Sequence, residues 1–312
     1  MPDILITEFM DAAAVASLER RFAVRYDPQL VEDRARLHGA LAGVPALIVR
    51  NRTQVDAALL AAAPALRVVG RLGVGLDNID TAGCAARGIA VVPATGANAD
   101  SVAEYVLLAA GLLLRRALLA TDEVARGDWP RAKYSAGGEL AGKLLGLVGF
   151  GSIGRVTARK AAALGLRVAA YDPLLAPDAP AWHGTRAVRL ELDQLVAQAD
   201  VVSLHLPLDG STRNLFDRAR LARMKPGAVL VNTARGGIVD EAALGELLRS
   251  GRIAGAAIDV FAEEPLPAGS PLAGAPNVLL TPHVAGVTRE SNQRVSELVA
   301  ERVAAALSAS EE

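Results

Sequence analysis

Short uninterrupted apolar runs, separated by stretches with apolar residues at helical spacing, recur along the chain. Short apolar runs bounded by turn formers predict strands buried on both faces, as in a parallel sheet covered by helices. In the first third they predict strands over 4–7, 24–26, 46–49, 66–70 and 89–93, with helices over 12–22, 55–63 and 82–87. The alternation resumes at residue 144, with strands over 144–149, 167–171, 200–205, 228–232, 254–260 and 277–280. Helices over 155–164, 191–198, 217–223 and 240–250 lie among them, and a last helix over 288–308 is expected to cross back to the first third. Between the two alternations, residues 101–120 read as one long helix with Ser101 as N-cap and Glu104 completing a capping box. Its apolar residues occupy more than one face, so burial on two sides is expected, between domains or against a second subunit. The Gly- and charge-rich stretch 126–142 is expected to be a subunit arm. The pattern gives an α/β fold of two domains, 1–98 plus 287–312 and 99–286.

Composition narrows the class without changing that picture. The chain has 312 residues, of which 52% are hydrophobic, enough for two cores, and a formal net charge of −1. Neither nucleic acid nor an anionic membrane is expected as a partner. Cys84 is the single cysteine, so no intrachain disulfide can form and a reducing, cytoplasmic location is expected. The start runs from Met1-Pro2-Asp3 into an apolar tetrad without the basic region or cleavage site of a signal peptide, so none is expected, and the longest uncharged apolar run, 105–114, is too short to span a bilayer.

The chemistry sits where the strands end. The run at 144–148 leads into Gly149-Phe150-Gly151-Ser152-Ile153-Gly154 and then a helical segment. Glycines there permit a sharp turn and a close approach to a pyrophosphate, whose charge the helix amides would meet. Such a motif alone is weak. Asp172 closes the next strand, near the offset of roughly 20 residues at which an acid meets the adenosine ribose. Ligands of open α/β sheets bind outside the carboxyl ends of strands. Leu204-His205-Leu206-Pro207 follows the third strand, and Thr233-Ala234-Arg235 the fourth. Glu264 lies after the fifth, and Thr281-Pro282-His283-Val284-Ala285-Gly286 after the sixth. Taken singly, Arg235 could cap strands, Glu264 could be a solvated turn residue and His283 a satisfied half-buried histidine. His205 reads as structural or cofactor-lining. Together the three suit hydride chemistry on a 2-oxo acid: a histidine with an unperturbed pKa of about 6.5 as acid/base, a carboxylate fixing its tautomer, and an arginine holding the substrate carboxylate. No metal is called for.

These residues resemble the D-isomer-specific 2-hydroxyacid dehydrogenases, over essentially the whole chain. The likeness rests on VGFGSIG at 148–154, NTARGG at 232–237, DVFAEEP at 259–265 and TPHVAG at 281–286. It implies a flavodoxin-like substrate domain and a doubly wound NAD-binding domain with the active site in the cleft, and a homodimer formed through the long helix and arm. It implies catalysis by Arg235, Glu264 and His283. NAD rather than NADP is implied by Asp172, with Gly149, Gly151, Ser152, Ile153, Gly154, His205, Pro207, Thr233, Ala234 and Gly286 around the cofactor and Asp259 at the nicotinamide carboxamide. The loop Arg71-Leu72-Gly73-Val74-Gly75 resembles the one whose amides bind the substrate carboxylate. Arg50-Asn51-Arg52-Thr53 resembles a second substrate-facing loop, where two arginines fit a further acidic group such as phosphate or sulfonate; Arg52 could equally be solvated. RNRT and GRLGVGLDNID resemble the phosphoglycerate dehydrogenase branch, and with the LITEFMD start the sulfolactate dehydrogenases within it. The expectation is NAD-dependent hydride transfer on an acid such as (S)-sulfolactate. Alternatives are 3-phosphoglycerate oxidation, hydroxypyruvate or glyoxylate reduction, and an NAD(H)-sensing, corepressor-like binding protein. Formate oxidation is set aside, because such enzymes carry an amide where Glu264 stands.

Overall fold

Strands made of uninterrupted apolar runs must be covered on both faces, and Ile4–Ile6, Ala46–Val49, Val201–Leu204, Val229–Asn232 and Gly255–Ile258 are buried throughout. In the computed structural model, which describes residues 1–309, the chain divides into a unit of 1–98 with 287 onward and a unit of 99–286. In the first unit β1 (Ile4–Ile6), β2 (Val24–Tyr26), β3 (Ala46–Val49), β4 (Val68–Arg71) and β5 (Ala90–Pro93) form a parallel sheet in the order β2-β1-β3-β4-β5. This is the flavodoxin-like order. The helices α1 (Ala12–Glu19), α2 (Arg34–Ala40), α3 (Ala57–Ala62) and α4 (Thr81–Ala86) each begin after an aspartate. Asp11, Asp33, Asp56 and Asp80 all accept a first-turn amide, the usual satisfaction of an orphan donor. The C-terminal helix, Arg289–Ser308, buries Val295, Val299, Val303 and Leu307 with Ile4, Ile6, Ile48 and Val68. Gly70 lets it approach the sheet: a Cβ there would lie 2.7 Å from Val303 and 2.8 Å from Val299.

The second unit opens with α5 (Ala99–Arg115) and the short α6 (Thr121–Ala125) and α7 (Arg131–Tyr134). Its strands β6 (Leu144–Val148), β7 (Arg167–Tyr171), β8 (Val188–Arg189), β9 (Val201–Leu204), β10 (Val229–Asn232), β11 (Gly255–Ile258) and β12 (Val278–Leu280) are all parallel. The order is β12-β11-β10-β9-β6-β7-β8, a doubly wound sheet whose direction of growth reverses between β6 and β9. The helices α8 (Ser152–Ala163), α9 (Leu192–Gln198), α10 (Arg218–Arg223) and α11 (Glu241–Arg249) cover it together with α5, whose Val106, Ala110 and Leu113 share a core with Leu145, Leu147 and Val229.

Several expectations from the sequence are corrected. The long helix starts at Ala99, so Ser101 is a buried first-turn residue and not an N-cap. Glu104 reaches Lys160 at 2.8 Å instead of closing a capping box. The helix stops at Arg115, because Arg116 takes the left-handed conformation (φ 56°). The glycine-loop helix starts three residues earlier than the apolar spacing indicates, at Ser152. The helix α2 and the two-residue exposed strand β8 have no apolar period and were not expected. Among the described residues no helix is long and apolar enough to cross a membrane.

Candidate active site

One register row organises the second unit. Tyr171, Val148, Leu204, Asn232, Ile258 and Leu280 pair in turn across six neighbouring strands. The next residue of each strand therefore leaves the sheet at the same edge, one strand spacing of about 4.8 Å from its neighbour. Those residues are Asp172, Gly149, His205, Thr233, Asp259 and Thr281.

The glycine loop lies at the reversal point of the sheet. Gly149 has φ 98°, and a Cβ on it would lie 2.5 Å from the His205 carbonyl oxygen. A Cβ on Gly154 would lie 2.5 Å from the Gly149 carbonyl, so only glycine allows the helix to start so close to the strand. Around Gly151 there is open space, and no side chain caps α8. First-turn helix amides have no intrahelical acceptor, so those near Ser152, Ile153 and Gly154 suit an anion. Asp172 accepts the Phe150 amide on Oδ2 and the Leu174 amide on Oδ1 at 2.8 and 3.0 Å, which fixes its carboxylate with lone pairs to spare. Phe150 is fully buried and stacks on Trp182, centroids 4.7 Å apart. On the other side of Gly149, His205 Nε2 lies 3.0 Å from Ser203 Oγ, and burial pushes its pKa down to about 4, leaving a neutral ring. Pro207 follows, its carbonyl accepting the Thr212 hydroxyl at 2.7 Å.

The Asn232 side chain shapes the loop after β10. It accepts the Ala234 amide at 3.1 Å and donates to the Arg235 carbonyl at 3.0 Å. A Cβ on Gly236 would collide with the Phe261 carbonyl, so a glycine is what lets this loop lie against the one after β11. The half-buried Arg235 donates to the Ala234 carbonyl at 2.6 Å. Thr233 has a buried hydroxyl with no hydrogen-bond partner in the structure. Such a group fits a polar ligand, and with the open glycine loop and the fixed Asp172 it makes this edge suited to a dinucleotide.

At the far end of the row His283 Nδ1 lies 2.8 Å from Glu264 Oε2, while Glu264 Oε1 accepts the Phe261 amide at 3.0 Å. The pair is accessible, 51% exposed for the histidine side chain and 38% for the glutamate. With Nδ1 engaged, Nε2 is the nitrogen left to exchange a proton. The Asp259 carboxylate is only 1% exposed and receives the Thr281 hydroxyl (2.6 Å) and the amides of Val284 (2.8 Å) and Ala285 (2.9 Å). The resemblance sets Asp259 at the nicotinamide carboxamide; in the structure its carboxylate is engaged in the loop that carries His283 and ends at Gly286. Tyr105, a residue with no sequence signal, joins this network through its hydroxyl, 2.6 Å from Thr281 Oγ1. Among the described residues no cluster of His, Cys, Asp or Glu is arranged to hold a metal.

The first unit has its own strand-end loops. Gly73 (φ 154°) follows β4, with its amide on the Arg71 carbonyl and its carbonyl accepting the Ala94 amide, both at 2.8 Å; Val74 and Gly75 continue this half-buried loop. Arg50 donates to Asn292 Oδ1 at 3.0 Å and sits over the Phe9 ring at 5.9 Å. Arg52 instead spends its guanidinium on an exposed ion pair with Glu32 at 2.6 Å, close to the solvated alternative. Two residues missed in the sequence hold the loop 50–53: Glu8, which accepts its amides, and Asn78, which donates to its carbonyls. An acid directly after a buried strand was the one available hint for Glu8.

Comparison with known proteins places the chain in a family. Residues 107–285 match the family model described as D-isomer specific 2-hydroxyacid dehydrogenase, NAD binding domain. The chain is 56% identical over 308 residues to an (S)-sulfolactate dehydrogenase of Chromohalobacter salexigens, covering 98% of this chain and 99% of that protein. It is 42% identical over 308 residues to a D-3-phosphoglycerate dehydrogenase of Mycobacterium leprae, spanning 98% of this chain and 57% of that protein's length. Among solved structures it resembles the D-lactate dehydrogenase of Aquifex aeolicus complexed with NAD and lactic acid, with 27% identity and a TM-score of 0.85 over 98% of this chain and 96% of that one. The chain belongs to the D-isomer specific 2-hydroxyacid dehydrogenase family and is an NAD-dependent oxidoreductase.

Proposed function

We propose that the chain interconverts a D-configured 2-hydroxy acid and its 2-oxo acid, with a second acidic group on the substrate and (S)-sulfolactate as the preferred one. The observation that carries the reaction is the His283–Glu264 pair at 2.8 Å on the same sheet edge as the glycine loop. Bound NAD supplies the hydride acceptor or donor. Gly149, Gly151, Ser152, Ile153 and Gly154 would hold its pyrophosphate and Asp172 its ribose, with His205, Pro207, Thr233 and Ala234 lining it. His283 Nε2 takes the hydroxyl proton in oxidation and returns it in reduction, while Glu264 on Nδ1 fixes the tautomer and orientation of the ring. Arg235 pairs with the substrate carboxylate by two parallel hydrogen bonds and polarises the adjacent oxygen. Gly73, Val74, Gly75 and Arg50 are the first unit's substrate-binding residues in this reading, Arg50 for the second acidic group.

The name of the relative at 56% identity supports the substrate. So does stereochemistry: the sulfonate-bearing carbon outranks the carboxylate in naming priority, so sulfolactate of D-like geometry is labelled S. A panel of sulfolactate, 3-phosphoglycerate, malate, glycerate and lactate with NAD tests the reading. The highest kcat/KM is expected for sulfolactate; a preference for lactate or glycerate would remove the second acidic group from the account. A homodimer, formed through α5 and the segment after it, belongs to the same reading.

A further inference from the structure

Four successive backbone amides of the first unit converge on one carboxylate. Glu8 Oε1 accepts from Arg50 at 2.8 Å and Thr53 at 3.0 Å. Its Oε2 accepts from Asn51 at 3.2 Å and Arg52 at 3.0 Å. The residue is only 5% exposed. On the carbonyl side, Asn78 Nδ2 donates to Arg50 at 3.2 Å and Thr53 at 2.7 Å, and the Thr53 hydroxyl meets that of Thr7 at 2.9 Å. Consecutive amides wrapped around one point form a nest for an anion. At the carboxyl end of a strand, in an enzyme of anionic substrates, such a nest would serve the substrate. Here the chain fills it with its own carboxylate.

Two consequences follow from that occupancy. The amides of 50–53 are spent, so the guanidinium of Arg50 is the group of this loop that can meet an added anion, Arg52 being paired with Glu32. The Arg50 backbone is also held at both its amide and its carbonyl, so its side chain departs from a fixed point toward Asn292 and Phe9. Burial lowers the pKa of Arg50 from its usual range, and the Glu8 charge opposes that shift.

We propose that Glu8 is a positioning residue which, by filling the 50–53 nest, fixes Arg50 and so sets the preference for substrates with a second acidic group. The inference rests on the reading of Arg50 given above. The tests are the full-length variants Glu8→Gln, isosteric but with an amide NH2 facing two amide donors, and Glu8→Asp, which keeps the charge. Hydrogen exchange of the 50–53 amides is followed beside KM and kcat for sulfolactate and for lactate. In Glu8→Gln those four amides are expected to exchange at least about tenfold faster while the β1 and β3 amides keep their protection. KM for sulfolactate is expected to rise about tenfold with kcat little changed and KM for lactate less affected, and Glu8→Asp to recover part of both effects. Unchanged exchange at 50–53 would overturn the proposal. So would faster exchange with an equal KM change for both acids, the mark of a merely structural residue. If the wild type does not turn over sulfolactate, the substrate reading fails by itself; exchange and the KM of the best two-acid substrate of the panel still decide for or against Glu8.

Discussion

His283 holds a backbone conformation that a non-glycine residue rarely adopts, φ 57°. Such a residue costs about 1–3 kcal/mol, so its surroundings must impose it. Its amide is shared between the Asp259 and Thr281 carbonyls at 2.9 and 3.0 Å, and the buried Asp259 carboxylate holds the next two amides. The result aims the ring at Glu264. That Arg235, Glu264 and His283 follow strands was legible in the sequence, since each lies a few residues past an apolar run. The support given by the Asp259 and Glu8 carboxylates was not, because the amides they hold lie 25 to 45 residues away and carry no period. His205 yields a prediction at this scale. Its folded pKa of about 4 lies below the unfolded value of about 6.5, so the unfolded state binds the proton more readily. The neutral ring's stability is full above about pH 6.5 and lost as pH falls toward about 4. The drop in Tm between pH 7 and pH 4.5 is therefore expected to be smaller in His205→Gln than in the wild type; equal drops would contradict a buried neutral ring.

At the scale of elements, apolar runs identified the strands well, because a strand covered on both faces needs nothing but apolar residues. Helix starts were less legible. A serine with a glutamate three positions on suggested a cap at Ser101, yet the chain already turns at Ala99 and buries that serine. A short helix such as α2, with only Leu37 buried, gives almost no periodic signal. The segment around α5 also leaves large apolar side chains in water: Leu108 is 68% exposed and Trp129 80%, with Leu119 and Val124 exposed between them. Exposed apolar residues grouped along one segment mark an interaction surface, and a second copy of the chain is the proposed occupant. Sedimentation velocity should give the wild type a mass of twice the chain's 32.3 kDa, and Leu108→Glu with Trp129→Ala a shift toward monomer. A monomeric wild type at micromolar concentration would contradict this.

At the scale of the whole molecule, the chain builds two parallel-sheet units and returns its last helix to the first of them. In the second unit a single register row delivers the glycine loop, Asp172, His205 and the loops of Arg235, Glu264 and His283 to one edge. The sequence showed these residues in the order of their strands; only the strand order β12-β11-β10-β9-β6-β7-β8 shows which lie side by side. In the proposed reading, one sheet therefore carries both the cofactor and the acid/base. The most direct test is the rate of hydroxy-acid oxidation by His283→Ala, read as NADH formation with the best acid of the panel, beside its affinity for NADH. A loss of kcat of about 10²–10⁴-fold with NADH binding within a few-fold of wild type is the predicted result; a variant that retains wild-type turnover would contradict the account.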